Sequence, residues 1–245
     1  MKNPPLAYEN IDFLKTDACR EVRLQLEHLH PDVMMQKEKI NSTIVLFGSA
    51  RIPSPEAMEK NPDSKAAKLA PFYEEARKLS RLVSSTCQTN HECEYVIITG
   101  GGGGIMEAGN RGAHEVGCKS VSLNITLPHE QEPNPYVTED LCFRFRYFSM
   151  RKMHFMQRAK AYCSFPGGFG TFDELFEALT LIQTGVIDPM PVILFGTEHW
   201  KRLVDWEYLV ECGLIGPDDL DLITFCDTAE DAWAAIVDFH DEERV

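Results

Sequence analysis

From Thr43 onward the chain alternates between short, nearly unbroken apolar runs and longer stretches whose apolar residues recur at helical spacing. The runs are Thr43–Gly48, Tyr95–Thr99, Ser120–Ile125, Ala161–Phe165, Pro191–Phe195 and Leu222–Phe225. Runs this short and this apolar predict strands buried on both faces. Leu141–Tyr147 alternates apolar with polar residues and predicts a further strand at one side of the sheet. Between the runs, residues 65–84, 105–116, 149–160, 172–184, 199–212 and 228–239 read as helices. Strand–helix alternation implies right-handed crossovers and a mostly parallel sheet with helices on both faces. The expected class is therefore α/β, doubly wound and Rossmann-like. Residues 1–40 are polar and charged, with Val22, Leu26 and Leu29 at helical spacing. They read as an N-terminal helical extension that packs or stabilises an oligomer. Residues 41–245 read as one domain, because the longest loops, 51–64 and 127–140, do not look like boundaries.

Composition narrows the class. Hydrophobic residues are 44% and charged residues 25%, which excludes disorder and collagen as the main state. No apolar run reaches the length of a membrane span, and the first residues lack an apolar signal core. Eight cysteines are scattered without a CxxC pair, so reduced thiols and a cytoplasmic location are expected, with no zinc ribbon and no metal site. The net charge is −14. A field of that sign disfavours nucleic acid and anionic membranes as partners. A phosphate-bearing small molecule must then be captured by a local device.

Doubly wound sheets bind ligands at the carboxyl ends of their strands, here after Phe47, Ile98, Ile125 and Phe165. The second strand ends in Gly100-Gly101-Gly102-Gly103-Gly104 and runs into a helix. Five glycines are costly to order unless the backbone must approach a ligand, and N–H groups at a helix N-terminus suit phosphate. A tight turn without a ligand is the alternative. The first strand ends in Gly48-Ser49-Ala50-Arg51, where Gly48 permits a turn and Ser49 could bind phosphate or ribose. Ala161–Glu174 repeats the strand–glycine–helix pattern, so Gly168, Gly170 and Thr171 would cradle a phosphate, with Asp173 and Glu174 nearby. Thr171 and Glu174 also fit a capping box, which would give Glu174 a purely structural task. Arg151 and Lys152 fall in the first turn of a helix, where basic residues oppose the macrodipole, so they either pair with acids or serve a ligand.

Together these motifs resemble the lonely guy (LOG) family, whose early members were labelled lysine decarboxylases. Its signature Pro-Gly-Gly-x-Gly-Thr-x-x-Glu matches Pro166-Gly167-Gly168-Phe169-Gly170-Thr171-Phe172-Asp173-Glu174, and its upstream Arg-Lys pair matches Arg151-Lys152. Its first glycine loop matches Gly100 to Ala108, except that Gly102 or Gly103 stands where proline is usual, which should loosen the loop. The resemblance covers residues 43 to about 240. It implies cleavage of the N-glycosidic bond of AMP or of cytokinin riboside monophosphates, giving free base and ribose 5-phosphate. Arg151 and Glu174 match the catalytic pair. Gly101 to Gly104, Gly167, Gly168, Gly170 and Thr171 match the phosphate-binding loops, with Gly48, Ser49 and Lys152 beside them. No cofactor is implied, and a homodimer or higher homo-oligomer is.

The chemistry suits these residues. Loss of the base leaves an oxocarbenium-like ribose, which a carboxylate such as Glu174 would stabilise while activating water. Arg151 could orient Glu174 or the sugar hydroxyls. Asp173 could bind ribose or stay solvated, and Glu107 could reach the base or sugar. A nicotinamide enzyme should carry an acid at the end of the strand after its glycine loop, and Ser120–Thr126 has none. A pyridoxal-phosphate decarboxylase would need a Schiff-base lysine, and only Lys152 stands in the constellation. A non-catalytic nucleotide or cofactor binder on the same scaffold is the main rival.

Overall fold

The computed structural model describes residues 3–88, 93–128 and 132–242. Seven strands form one parallel sheet: β1 (Thr43–Phe47), β2 (Val96–Thr99), β3 (Ser120–Ile125), β4 (Cys142–Phe145), β5 (Ala159–Ser164), β6 (Val192–Phe195) and β7 (Ile223–Cys226). Their order is β4-β3-β2-β1-β5-β6-β7, so the sheet winds outward from β1 in both directions. The predicted class is the observed one. The runs of β1, β2 and β6 became strands buried throughout because both of their faces are covered, whereas the run at Leu222–Phe225, expected to be buried on both faces, forms the edge strand β7, where Thr224 is exposed. In β1, Ile44 and Leu46 enter one core while Val45 and Phe47 enter the other. β4, the run that alternates in sequence, is an edge strand.

On the first face lie α4 (Pro71–Cys87), α5 (Ile105–Glu115) and α10 (Ala229–Glu242), which contribute Leu79, Ile105 and Ile236. On the other face α6 (Phe148–Gln157) and α7 (Phe169–Gln183) contribute Phe155 and Leu175. Three short helices, α1 (Ile11–Leu14), α3 (Pro55–Lys60) and α8 (Thr197–Leu203), sit in the connections. The helix expected over 199–212 is broken into α8 and α9 (Trp206–Glu211), because Val204 takes an extended conformation and the Asp205 side chain caps α9 by accepting the Tyr208 N–H. The helix expected from residue 65 starts at Pro71, preceded by a separate 3-10 turn at Ala67–Leu69.

The N-terminal segment carries α2 (Arg20–Lys37), with Pro31 inside it. Proline has no N–H, so the carbonyl of Glu27 loses its helical partner. The His154 Nε2 of α6 meets that carbonyl at 3.1 Å, and burial holds this imidazole below its ordinary pKa. The Glu27 carboxylate accepts the N–H groups of Arg146 and Tyr147 at the start of α6. α2 is thereby fastened to the helix that bears Arg151. Its opposite stripe, Val22, Leu26, Leu29 and Val33, stays exposed.

α4 and α5 pack closely because Gly112 leaves room. A Cβ there would stand 2.3 Å from the Arg77 carbonyl oxygen and 2.6 Å from the Ser80 Cβ. Backbone cannot yield as a side chain can. Gly112→Ala should therefore destabilise the fold by about 2–3 kcal/mol, read as a lowered denaturant midpoint at unchanged slope.

Candidate active site

β1 and β5 are neighbours from which the sheet winds in opposite directions, so the loops that follow them part and leave a crevice. Hydrogen bonds stitch the crevice's loops together. The Ser49 N–H donates to the Pro166 carbonyl at 3.0 Å, and the Ile105 N–H donates to the Ser49 carbonyl at 3.3 Å. A cleft of about 320 Å³ opens where the three loops meet. Gly48, Ser49, Gly102, Arg151, Gly168, Gly170 and Thr171 all line it. A larger groove of about 760 Å³ lies between α6 and α7, but it reaches the start of β5 at Ala159 and Lys160. That is the amino end of the sheet, so the smaller cleft is the better candidate.

Two helices begin at this cleft, α5 after Gly104 and α7 after Gly168, and no side chain caps either one. Their first N–H groups are left without a side-chain partner, an arrangement that can hold an anion. The glycines divide into two kinds. Gly104 has φ +62°, and a Cβ there would lie 2.2 Å from the Ser49 carbonyl oxygen, so the fold itself requires it. A Cβ on Gly167 would lie 2.0 Å from the Thr171 Oγ1. At Gly168 and Gly170 a Cβ would meet nothing within 4 Å. Neither packing nor φ explains those two glycines, whereas close approach of a ligand to the α7 N-terminus does.

The acid of the signature lies one layer below. Arg151 donates from Nη2 to the Glu174 Oε1 at 2.9 Å. Arg151 is 9% exposed and lines the cleft, and Glu174 is 1% exposed. The guanidinium lies over the rings of Phe148 and Phe155 at 5.3 and 5.5 Å. The Arg151 Nε and the Glu174 Oε2 are buried without a hydrogen-bond partner among the described residues. Burial pushes the Glu174 carboxyl above the ordinary carboxylate range, against the opposing pull of Arg151 and Lys152. An orphaned buried carboxylate oxygen beside a cleft is unusual for a purely structural group.

A family model described as "Possible lysine decarboxylase" matches residues 106–236, more than half of the chain. The chain belongs to this family, the LOG family. Among curated relatives, a cytokinin riboside 5′-monophosphate phosphoribohydrolase of Mycobacterium tuberculosis is 33% identical over 86 residues, 35% of this chain and 46% of that protein. The enzyme of that name LOG3 from Arabidopsis thaliana is 30% identical over 82 residues, 33% of this chain and 38% of its own. The matches thus span less than half the length of these relatives. Among solved structures, the Moco carrier protein from Chlamydomonas reinhardtii is 17% identical with a TM-score of 0.54, covering 82% of this chain and 99% of that one. A molybdenum cofactor binding protein from Rippkaea orientalis is 17% identical with a TM-score of 0.52, over 82% and 97%. At these identities the likeness shows the fold alone.

In this LOG-family chain the signature helix starts earlier than its sequence suggests. α7 begins at Phe169 with Gly168 at its cap, so Thr171 is not the capping residue and Glu174 does not reach back to it. The capping-box reading of Glu174 gives way to the pair with Arg151. Lys152 turns away from the cleft and pairs with Asp173 at 2.8 Å and Glu177 at 3.0 Å. Those acids outweigh the effect of burial and hold its ammonium above the ordinary lysine range. Glu107 accepts the Tyr73 hydroxyl at 2.7 Å, and neither it nor Asp173 lines the cleft. Gly101, Gly103 and Gly104 shape the first loop without lining the cleft. Met106, Asn124, Leu127 and Phe148 do line it and are absent from the sequence-derived set. Position at the carboxyl end of β3, within it for Asn124 and just past it for Leu127, was the available signal. Among the described residues no group of three His, Cys, Asp or Glu side chains could hold a metal.

The raised Glu174 carboxyl gives a pH prediction. Its ionised form is lost as pH falls through a value above the usual carboxylate range, so any reaction that needs this carboxylate ionised should fail on the acid side earlier than an ordinary glutamate would dictate. Arg151→Ala removes the opposing charge and should move that acid limb to still higher pH. The pH profile of kcat/KM for the two proteins checks both statements.

Proposed function

We propose that this protein is a nucleoside 5′-monophosphate phosphoribohydrolase that releases free base and ribose 5-phosphate from AMP, from cytokinin riboside monophosphates, or from both. The observation that carries the reading is the buried Arg151–Glu174 pair, with one carboxylate oxygen unpartnered, beside two uncapped helix N-termini. The phosphate would sit on the N–H groups of the two glycine loops. Its repulsion of a carboxylate about 6 Å away is roughly 3 kcal/mol per charge pair at an effective dielectric near 20. Arg151 and the two helix dipoles offset it.

In the reaction the C1′–N bond breaks and its electron pair leaves with the base, which takes up a proton. Positive charge develops on the ribose, and ionised Glu174 stabilises it. Water adds to C1′ and gives up its proton to ionised Glu174, whose unpartnered Oε2 would be the acceptor. Arg151 holds the carboxylate in place and keeps it ionised. The apolar part of the wall, Met106, Leu127 and Phe148, suits a planar base.

A second reading, a non-catalytic binder of a nucleotide or nucleotide-like cofactor, is favoured by the names of the two molybdenum cofactor proteins of similar fold. Incubation with AMP and with N6-substituted adenosine monophosphates, followed by chromatography, separates the two. Wild-type protein should release base, and Glu174→Ala should lose at least about a hundredfold in rate while still binding ribose 5-phosphate. Tight binding with no release from any monophosphate would leave the binder reading instead.

The same reading includes a homo-oligomer in the cytoplasm. Phe148, Met153, Phe169 and Phe176 are exposed around α6 and α7, and the outer stripe of α2 adds Val22, Leu26, Leu29 and Val33. Exposed apolar surface of this extent suits burial against a second copy. Light scattering at micromolar concentration should give at least a dimeric mass, and Leu26→Glu with Leu29→Glu should lower it if α2 lies in the contact.

A further inference from the structure

A loop of five glycines has little stiffness of its own, yet the phosphate reading needs its N–H groups fixed in one direction. The structure supplies the stiffness from a distant segment. Asn134, 8% exposed and flanked by Pro133 and Pro135, reaches into the first glycine loop. Its side-chain amide donates to the carbonyl oxygens of Gly101 at 3.2 Å and Gly102 at 3.1 Å, and to the Asn110 Oδ1 at 2.9 Å. Its backbone N–H donates to the Gly101 carbonyl at 2.9 Å. Its own Oδ1 accepts the Tyr136 N–H at 3.2 Å, which fixes the rotamer.

The network continues below. Asn110 accepts the Thr99 hydroxyl at 2.8 Å and donates to the Ser120 Oγ at 3.0 Å, while Thr99 Oγ1 accepts the Gly101 N–H at 3.0 Å. Asn110, Thr99 and Ser120 are buried. Tyr136 lies against α5, with its ring 5.6 Å from His114 and the Arg111 guanidinium 5.3 Å above it.

Carbonyl and N–H point in opposite directions across a trans peptide, and the described chain holds no cis bond. A Gly101 carbonyl held by Asn134 therefore turns the Gly102 N–H the other way. A Gly102 carbonyl held by Asn134 does the same for the Gly103 N–H. Gly102 lines the cleft. We infer that Asn134 is the positioning residue of the anion-binding loop: it fixes two glycine carbonyls from behind so that the Gly102 N–H group faces the phosphate of the substrate. Asn134 itself does not line the cleft. The inference rests on the phosphate placement in the proposed function.

The test compares wild type with Asn134→Ala and Asn134→Asp, the latter matched in size but, when ionised, without a donor. Affinity for ribose 5-phosphate is measured by calorimetry, which needs no turnover, and affinity for free adenine is measured alongside. In Asn134→Ala, ribose 5-phosphate binding should weaken roughly tenfold to a hundredfold, with adenine binding unchanged. With AMP as substrate, KM should rise by more than kcat falls. Asn134→Asp should show the same loss at pH 8, shrinking relative to wild type toward pH 5 as its carboxyl regains a proton to donate. Unchanged ribose 5-phosphate affinity in a folded variant would overturn the inference, and so would equal weakening of both ligands. If Asn134→Ala does not fold, the pH-dependent recovery of Asn134→Asp decides, and its absence counts against the clamp. Should wild type bind ribose 5-phosphate but release no base, the clamp would stand on the binding data while the hydrolase reading fell.

Discussion

The site turns on one buried contact, the hydrogen-bonded ion pair between Arg151 on α6 and Glu174 on α7. Neither charge could be placed there alone. Removing one partner of a buried pair typically costs about 3–5 kcal/mol, because the other is left without water or counter-charge. The two helices flank β5 in sequence, so the pair also ties the entry to that strand to its exit. Much of the surrounding structure keeps the pair in register. The Glu27 carboxylate receives the backbone N–H groups where α6 begins, and the carbonyl that Pro31 leaves free meets His154 on the same helix. The N-terminal helix therefore steadies the arginine without approaching the cleft.

The second constraint is electrostatic. A chain of net charge −14 repels phosphate at long range, so capture must come from fixed dipoles at short range. Uncapped N-termini of α5 and α7 converge on one cleft, and in the proposed function they provide them. The cost is conformational, because a backbone that approaches a ligand closely has to be glycine-rich and glycine is hard to order. The two loops solve this differently. Gly167 is locked by packing on Thr171, whereas the five-glycine loop is held from behind through Asn134 and Asn110.

This division explains what could be read from the sequence. β1 and β6 were legible because burial on both faces leaves an unbroken apolar run, and β3 fell on the residues its pattern predicted. The glycine loops were legible because few folds need such runs without a ligand. The task of Glu174 was not, since a Thr three residues ahead of a Glu fits a helix cap as well as a reactive carboxylate. The start of α7 at Phe169 removes the cap reading. Glu107 looked like a site residue from its place after the glycines, but its partner Tyr73 lies on α4, and no local pattern announces a contact 34 residues away. Asn134 was hidden for the same reason: in sequence it is one polar residue in a proline-rich loop.

The proline usual at Gly102 or Gly103 sharpens this point. Proline stiffens a loop through its own ring, by fixing φ and narrowing the unfolded ensemble. A glycine in its place keeps an N–H that proline lacks, but gives up that intrinsic stiffness. The first effect adds a donor toward an anion, and the second would blur the direction of every donor in the loop. The two can coexist only if rigidity comes from outside the loop. The buried amide of Asn134 does that by binding the carbonyls and leaving the N–H side clear. The departure from the usual motif is thus consistent with a loop that remains ordered, because its order resides in side chains that the motif does not contain.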